Sequence, residues 1–270
     1  GKVRVMISAA SVGGSLLGGV VGQFMGLRWT YWLTVPAVII ALIALAKLRE
    51  PKLHKATEKT ALGAHLIATF KSVLQRGRLL RIVVTLSLLS ALVYTVLEFT
   101  QLWSIALLAP IVLYGPINAL HGATGGIGGY VVGRIQLARL PAMLSVLTIL
   151  IVSSICMAVS RNLFITVAAI TLFCSCLFAV MVVFNRYLHD SVASEVRAGA
   201  SSLISTLGRI VIMPLSLGIG HISSKSDIFH ASWLIVGLTG LLAILIARSY
   251  FGKHATALGR EERSGAPTLF

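Results

Sequence analysis

Eight apolar stretches, each close to the length of a bilayer-crossing helix, fill most of this 270-residue chain. They cover residues 5–25, 31–46, 80–101, 110–130, 140–159, 163–184, 200–222 and 233–247. At about 1.5 Å per residue, roughly 20 residues span the ~30 Å hydrocarbon layer. Hydrophobic residues make up 57% of the chain and charged residues 11%, a balance no single water-solvated core of this size requires. The spacing predicts an all-α, polytopic transmembrane bundle. The apolar segment 79–113 is too long for one crossing, and Glu98, Gln101, Ser104 and Pro110 mark its expected turn. Residues 48–79 differ in composition and read as a water-exposed linker. Within it His65, Leu66, Phe70, Val73 and Leu74 mark one face of an interfacial helix.

A formal charge of +15 suggests a nucleic-acid binder until the charges are placed. Dealt alternately to two sides of a membrane, the nine basic residues of 47–81 join Lys2, Arg4, Arg134, Arg139, Arg186, Arg197, Arg248, Lys253, Arg260 and Arg263. Arg28, Arg161 and Lys225 fall opposite. This asymmetry predicts that both termini and the linker are cytoplasmic, in a cell (plasma or inner) membrane. The excess charge then reflects topology and attraction to anionic lipid rather than to nucleic acid. Trp29, Trp32, Trp103 and Trp233 sit near the predicted outer helix ends, as expected of interfacial anchors.

Cys156, Cys174 and Cys176 lie within predicted spans without CxxC spacing, so neither a disulfide framework nor a metal site is expected. The glycine-rich run after His121 looks superficially like a dinucleotide-binding turn. That motif follows a strand and has an acidic residue about 20 positions on; here the flanks are apolar helix and no Asp or Glu occurs between Glu98 and Asp190. Small-xxx-small helix contact is the alternative, with Gly122 and Gly126, Gly125 and Gly129, and Gly129 and Gly133 in the fourth stretch and Gly14, Gly18 and Gly22 in the first. HExxH, GxSxG and paired Asp are absent from the sequence, and no catalytic residue is expected.

Charge inside a bilayer is expensive, which makes intramembrane ions candidates for function. Arg209 lies about ten residues into its stretch, with Ser202, Ser205 and Ser216 on the same face, positioned for an anionic substrate or a coupling network. Glu98 shares a stripe with Ser87, Tyr94 and Gln101 that is expected to face a cavity. Tyr114, Asn118, His121 and Gly125 form another. The estimated depths of Glu98 and Arg209 differ by about 12 Å, which argues against a direct pair.

The stretch Gly14-Ser-Leu-Leu-Gly18-Gly19-Val-Val-Gly22 resembles the fifth-helix motif GxxxGPxxGG of major facilitator superfamily antiporters, with Gly19 in place of Pro and Gln23 in place of the last Gly. Gly129-Tyr-Val-Val-Gly133-Arg134, with Arg139 following, is similar to the family's cytoplasmic loop motif between helices eight and nine, with Gly133 in place of Asp. Ser194-Glu195-Val-Arg197-Ala198 is similar to the lead into helix eleven. The resemblance covers nearly the whole chain as helices five to twelve. It implies that residues 1–47 are the last two helices of an N-terminal bundle, 80–250 a complete C-terminal six-helix bundle, and 251–270 a cytoplasmic tail. It further implies a carrier working by alternating access on a small-molecule substrate. No cofactor is expected beyond a proton gradient as energy source, and efflux is favoured over uptake. The chain is expected to be a fragment lacking four helices of a parent that is monomeric at full length. An uptake symporter and a non-transporting membrane scaffold or sensor are the alternatives.

Overall fold

The structure, a computed structural model, describes residues 2–47, 75, 77–134, 140–192 and 194–264. Eight helices occur among them: α1 (Lys2–Met25), α2 (Leu27–Ala46), α3 (Gly77–Ala106), α4 (Ile111–Arg134), α5 (Leu140–Val159), α6 (Leu163–Ser191), α7 (Ser194–Lys225) and α8 (Ile228–Ser264). The expected interfacial helix of the linker lies outside the described residues.

Six of the eight, α2, α3 and α5 to α8, are long and apolar enough to cross a bilayer. The other two differ from the expectation of eight such spans. The apolar part of α1 is confined to Ala9–Met25, about 26 Å of helix. α4 has 24 residues, but its polar stripe and glycines dilute its apolar character.

Two ends also move. α3 runs through Glu98, Gln101 and Ser104, because polar residues three and four apart share a face and do not interrupt the backbone ladder. The break comes at Leu108, the one non-glycine residue with positive φ among those described (52°). There the Leu108 N–H donates to the Ile105 carbonyl at 3.0 Å and the Ala109 N–H to the Ser104 carbonyl at 2.9 Å, the paired bonds of a left-handed helix stop. Pro110, which has no N–H, follows. α8 continues to Ser264 through most of the segment expected to be a tail, as no proline interrupts it before Pro267.

One apolar cluster joins α3, α5, α6, α7 and α8. Val83, Leu89, Leu92 and Val96 of α3 and Phe173, Cys174, Leu177 and Val180 of α6 are completely covered, with Met157 of α5 and Ile235, Leu242 and Ile246 of α8 around them. Trp103 belongs to this core rather than to the lipid interface. It is 1% exposed and its indole N–H donates to the Met157 carbonyl at 3.2 Å, because α3 extends past it and α5 packs over it. Trp29, Trp32 and Trp233 are exposed. α4 stands to one side, between α6 and α1, and α2 leaves every side chain from Tyr31 to Lys47 exposed.

Glycine sets how closely these helices approach. A Cβ on Gly19 would lie 2.6 Å from the Gly115 Cα, and one on Gly122 would lie 2.6 Å from the Ser11 Oγ. These pairs fix α1 antiparallel to α4 along the row Ser11, Ser15, Gly19. A Cβ on Gly128 would meet the Ser175 carbonyl at 2.5 Å, fixing α4 against α6. Gly122 is thus in a close contact as expected, whereas the other close seams differ from those expected. A Cβ on Gly14, Gly18 or Gly129 would meet nothing from another helix within 4 Å, and one on Gly125 would make only an ordinary contact with Phe178. Two glycine-containing rows run along α1, and neighbouring positions on a helix point about 100° apart, so only one row can face α4.

Candidate functional site

Where α1 passes α4, the neighbouring α1 row stays open. A cavity of about 520 Å³ forms there, lined by Ser15, Gly18, Gly19 and Gly22 of α1, Thr30 of α2, Gln101 and Ile105 of α3, and Ile111, Tyr114, Gly115 and Asn118 of α4. The volume falls within the roughly 300–1,000 Å³ of small-molecule sites. The expected cavity residues Gln101, Tyr114 and Asn118 come together in it, and Gly18 and Gly22 line its wall instead of forming the seam. Its polar groups are hydroxyls and amides, which both donate and accept hydrogen bonds; Ile105 and Ile111 supply apolar wall.

A second locus lies nearer mid-depth. Arg209 stands ten residues into the apolar window Gly199–Lys225, about 15 Å along it. Its guanidinium lies 5.8 Å from the centre of the Tyr94 ring on α3, within the reach of a cation–π contact. Glu98, one turn along α3 from Tyr94, and Ser205, one turn along α7 from Arg209, are both exposed. Glu98 and Arg209 form no ion pair with each other, whereas Arg161 and His230 each meet the Asp227 carboxylate. Tyr94, Glu98, Gln101 and Ile105 follow one another at spacings of four, three and four, so this face of α3 leads from the Arg209 locus to the cavity.

Other expected site residues fall elsewhere. Ser87 is buried as a strut, its hydroxyl 2.9 Å from the Val83 carbonyl and 3.2 Å from the Ile204 carbonyl. It does not face the cavity, because the helix face it occupies packs on α7. His121 is buried at 3% exposure, away from the cavity lining. Arg134 closes α4, and Arg139 lies outside the described residues. The sequence reading missed Ser15, Thr30, Ile105 and Ile111. Only Ser15 carried a signal, as a small residue between Ser11 and Gly19 at helical spacing.

A family model described as Major Facilitator Superfamily matches residues 1–216, most of the chain. The chain belongs to the major facilitator superfamily. The family consists of transporters, not enzymes, so this is an integral membrane transporter protein. A solved structure agrees on the fold: the crystal structure of a bacterial homolog to human lysosomal transporter, Spinster, in an inward-facing and unoccupied conformation. It matches with a TM-score of 0.59 at 15% identity, covering 92% of this chain and 68% of that one. No curated protein matches the chain.

Proposed function

We propose that this chain is the solute-handling part of a secondary carrier that exports a small molecule by alternating access, driven by a proton gradient. One observation carries the reading. Arg209, Glu98 and Ser205 are exposed on a face formed by helices that cross the bilayer. A charge against lipid at the helix centre costs about 2.5–3.5 kcal/mol even on insertion scales, so that face meets water or further protein. A water-filled route past Arg209 to the neutral cavity meets the requirement, with further helices of the same carrier closing its far side. The fifth-helix-like glycine pattern supports export over uptake. The basic residues of the linker support a cell-membrane protein with both ends of the chain cytoplasmic.

The test is flux in everted vesicles carrying the complete gene product, with ethidium as the probe and an imposed pH gradient. Gradient-dependent ethidium movement, reduced at least tenfold by Arg209→Ala at equal expression, is expected. Unchanged movement in that variant overturns the site assignment, and equal movement with and without the gradient overturns the coupling.

A further inference from the structure

Many polar side chains in this bundle hydrogen-bond to a carbonyl of their own helix. Thr100 and Thr171 donate to the carbonyl four residues back at 2.9 and 2.8 Å, and the Asn185 amide does the same at 2.9 Å. Gln101, Tyr114 and Asn118 do not. Their two carboxamides and one phenol have no hydrogen-bond partner among the described residues, and they are accessible, Gln101 being exposed and the other two half-buried. All three line the cavity where α1 passes α4.

Among the described residues that line this cavity, none carries a charge. Glu98, one turn along α3 from Gln101, and Arg28, two residues before Thr30, stand outside the lining. An ion brought in without a counter-charge loses hydration that amide and hydroxyl dipoles replace only in part. Tyr114 and Asn118 stand one turn apart, about 6 Å along α4, and Gln101 belongs to α3, so the free donors and acceptors come from two helices. On the α1 side Gly18 and Gly22 present backbone alone, and a Cβ on Gly18 would meet nothing within 4 Å. A flat ring can approach such a wall closely.

We propose that this cavity takes the uncharged end of a solute in which a hydrogen-bond donor and an acceptor sit side by side on a flat ring, as in a lactam. A carboxamide carries its NH₂ donors and its carbonyl acceptor next to each other. It therefore meets such an edge through two parallel bonds, as Asn and Gln side chains meet adenine. Gln101 and Asn118 each offer that pairing, and the Tyr114 hydroxyl adds a third group that both donates and accepts. Ile105 and Ile111 cover apolar ring carbons, while the ring face lies along the glycines of α1. A charge elsewhere on the solute stays outside the cavity. That the occupant is carried across the membrane rests on the carrier reading above; that the cavity selects this chemical edge does not.

The experiment is equilibrium binding of the lactam quinolin-2-one to the complete gene product in lipid nanodiscs, with empty nanodiscs as the blank. Two relatives of the same shape are measured beside it: 1-methylquinolin-2-one, which lacks the donor, and quinoline-2-carboxylate, which is charged at that edge. Saturable binding of the lactam is expected, weakened roughly tenfold by either chemical change and by Gln101→Leu or Asn118→Leu. Equal binding of the three compounds, or binding unchanged in both leucine variants, overturns the proposal. Should those variants fail to fold, Gly18→Leu, for which α1 has room, fills the cavity and is expected to abolish binding; unchanged binding there overturns the proposal as well. Protein that moves ethidium with the pH gradient but binds no lactam loses this solute class and keeps the carrier reading. Protein that binds the lactam selectively but moves no ethidium keeps the solute class and loses the carrier reading.

Discussion

A single methyl group decides where the helices of this transporter touch. Gly115 faces the Gly19 Cα and the Ser15 carbonyl, both backbone, so nothing flexible can yield to a side chain there. Gly115→Leu is expected to lower stability by about 1–3 kcal/mol, the usual range for an overpacked contact, read as a fall in the melting temperature of detergent-solubilised protein. Gly14→Ala, in open space, is expected to leave it unchanged or raise it slightly through better helix propensity. Equal effects from the two would mean that the seam is misplaced. The sequence showed both glycine rows of α1 without saying which one meets α4. That choice depends on the partner helix, where Gly115 and Gly122 repeat seven apart, and a pairing between distant segments leaves no trace in either segment alone.

Among elements, the loops joining α5 to α6 and α7 to α8 are tied together. Arg161 lies 3.7 Å from the Asp227 carboxylate and 3.6 Å from the centre of the Phe229 ring. Asp227 also accepts from the His230 backbone N–H at 2.7 Å and meets the His230 ring at 2.8 Å, capping the start of α8. The His230 backbone bond, then its ring and charge, then Arg161, hold the Asp227 carboxyl below its ordinary value of 3.8. A carboxyl depressed on folding stabilises the protein above its unfolded value, and that stabilisation fades as pH falls through the folded one. The melting temperature of the parent protein is therefore expected to drop below about pH 4 more steeply than that of Asp227→Asn, which keeps the cap and loses the charge. Parallel acid profiles would remove Asp227 from the account. The helices themselves were legible in the sequence, since apolar length is local. The α3 end was not: Glu98 and Gln101 resemble turn residues in composition, and only their shared helical face shows that they belong inside the helix.

For the whole molecule, hydropathy and the resemblance sufficed for the family and the all-helical architecture. They sufficed less well for the site. Gln101, Tyr114 and Asn118 were found because polar stripes stand out against apolar helix, whereas Thr30 and the isoleucines do not contrast with their surroundings. The open face of α3 and α7 gives a test at this scale. Ser205→Cys in the complete gene product is expected to react with a membrane-impermeant maleimide, well above the background of the native cysteines. Reaction with lipid-soluble reagents alone would place that face against the bilayer and remove the route past Arg209.

The corner at Leu108 has a mechanical consequence. Two crossed backbone bonds and a following proline leave α3 and α4 without slack where they meet, although each supplies one wall of the same chamber. The turn itself therefore sets the spacing between Gln101 and Ile105 on one wall and Ile111 and Tyr114 on the other.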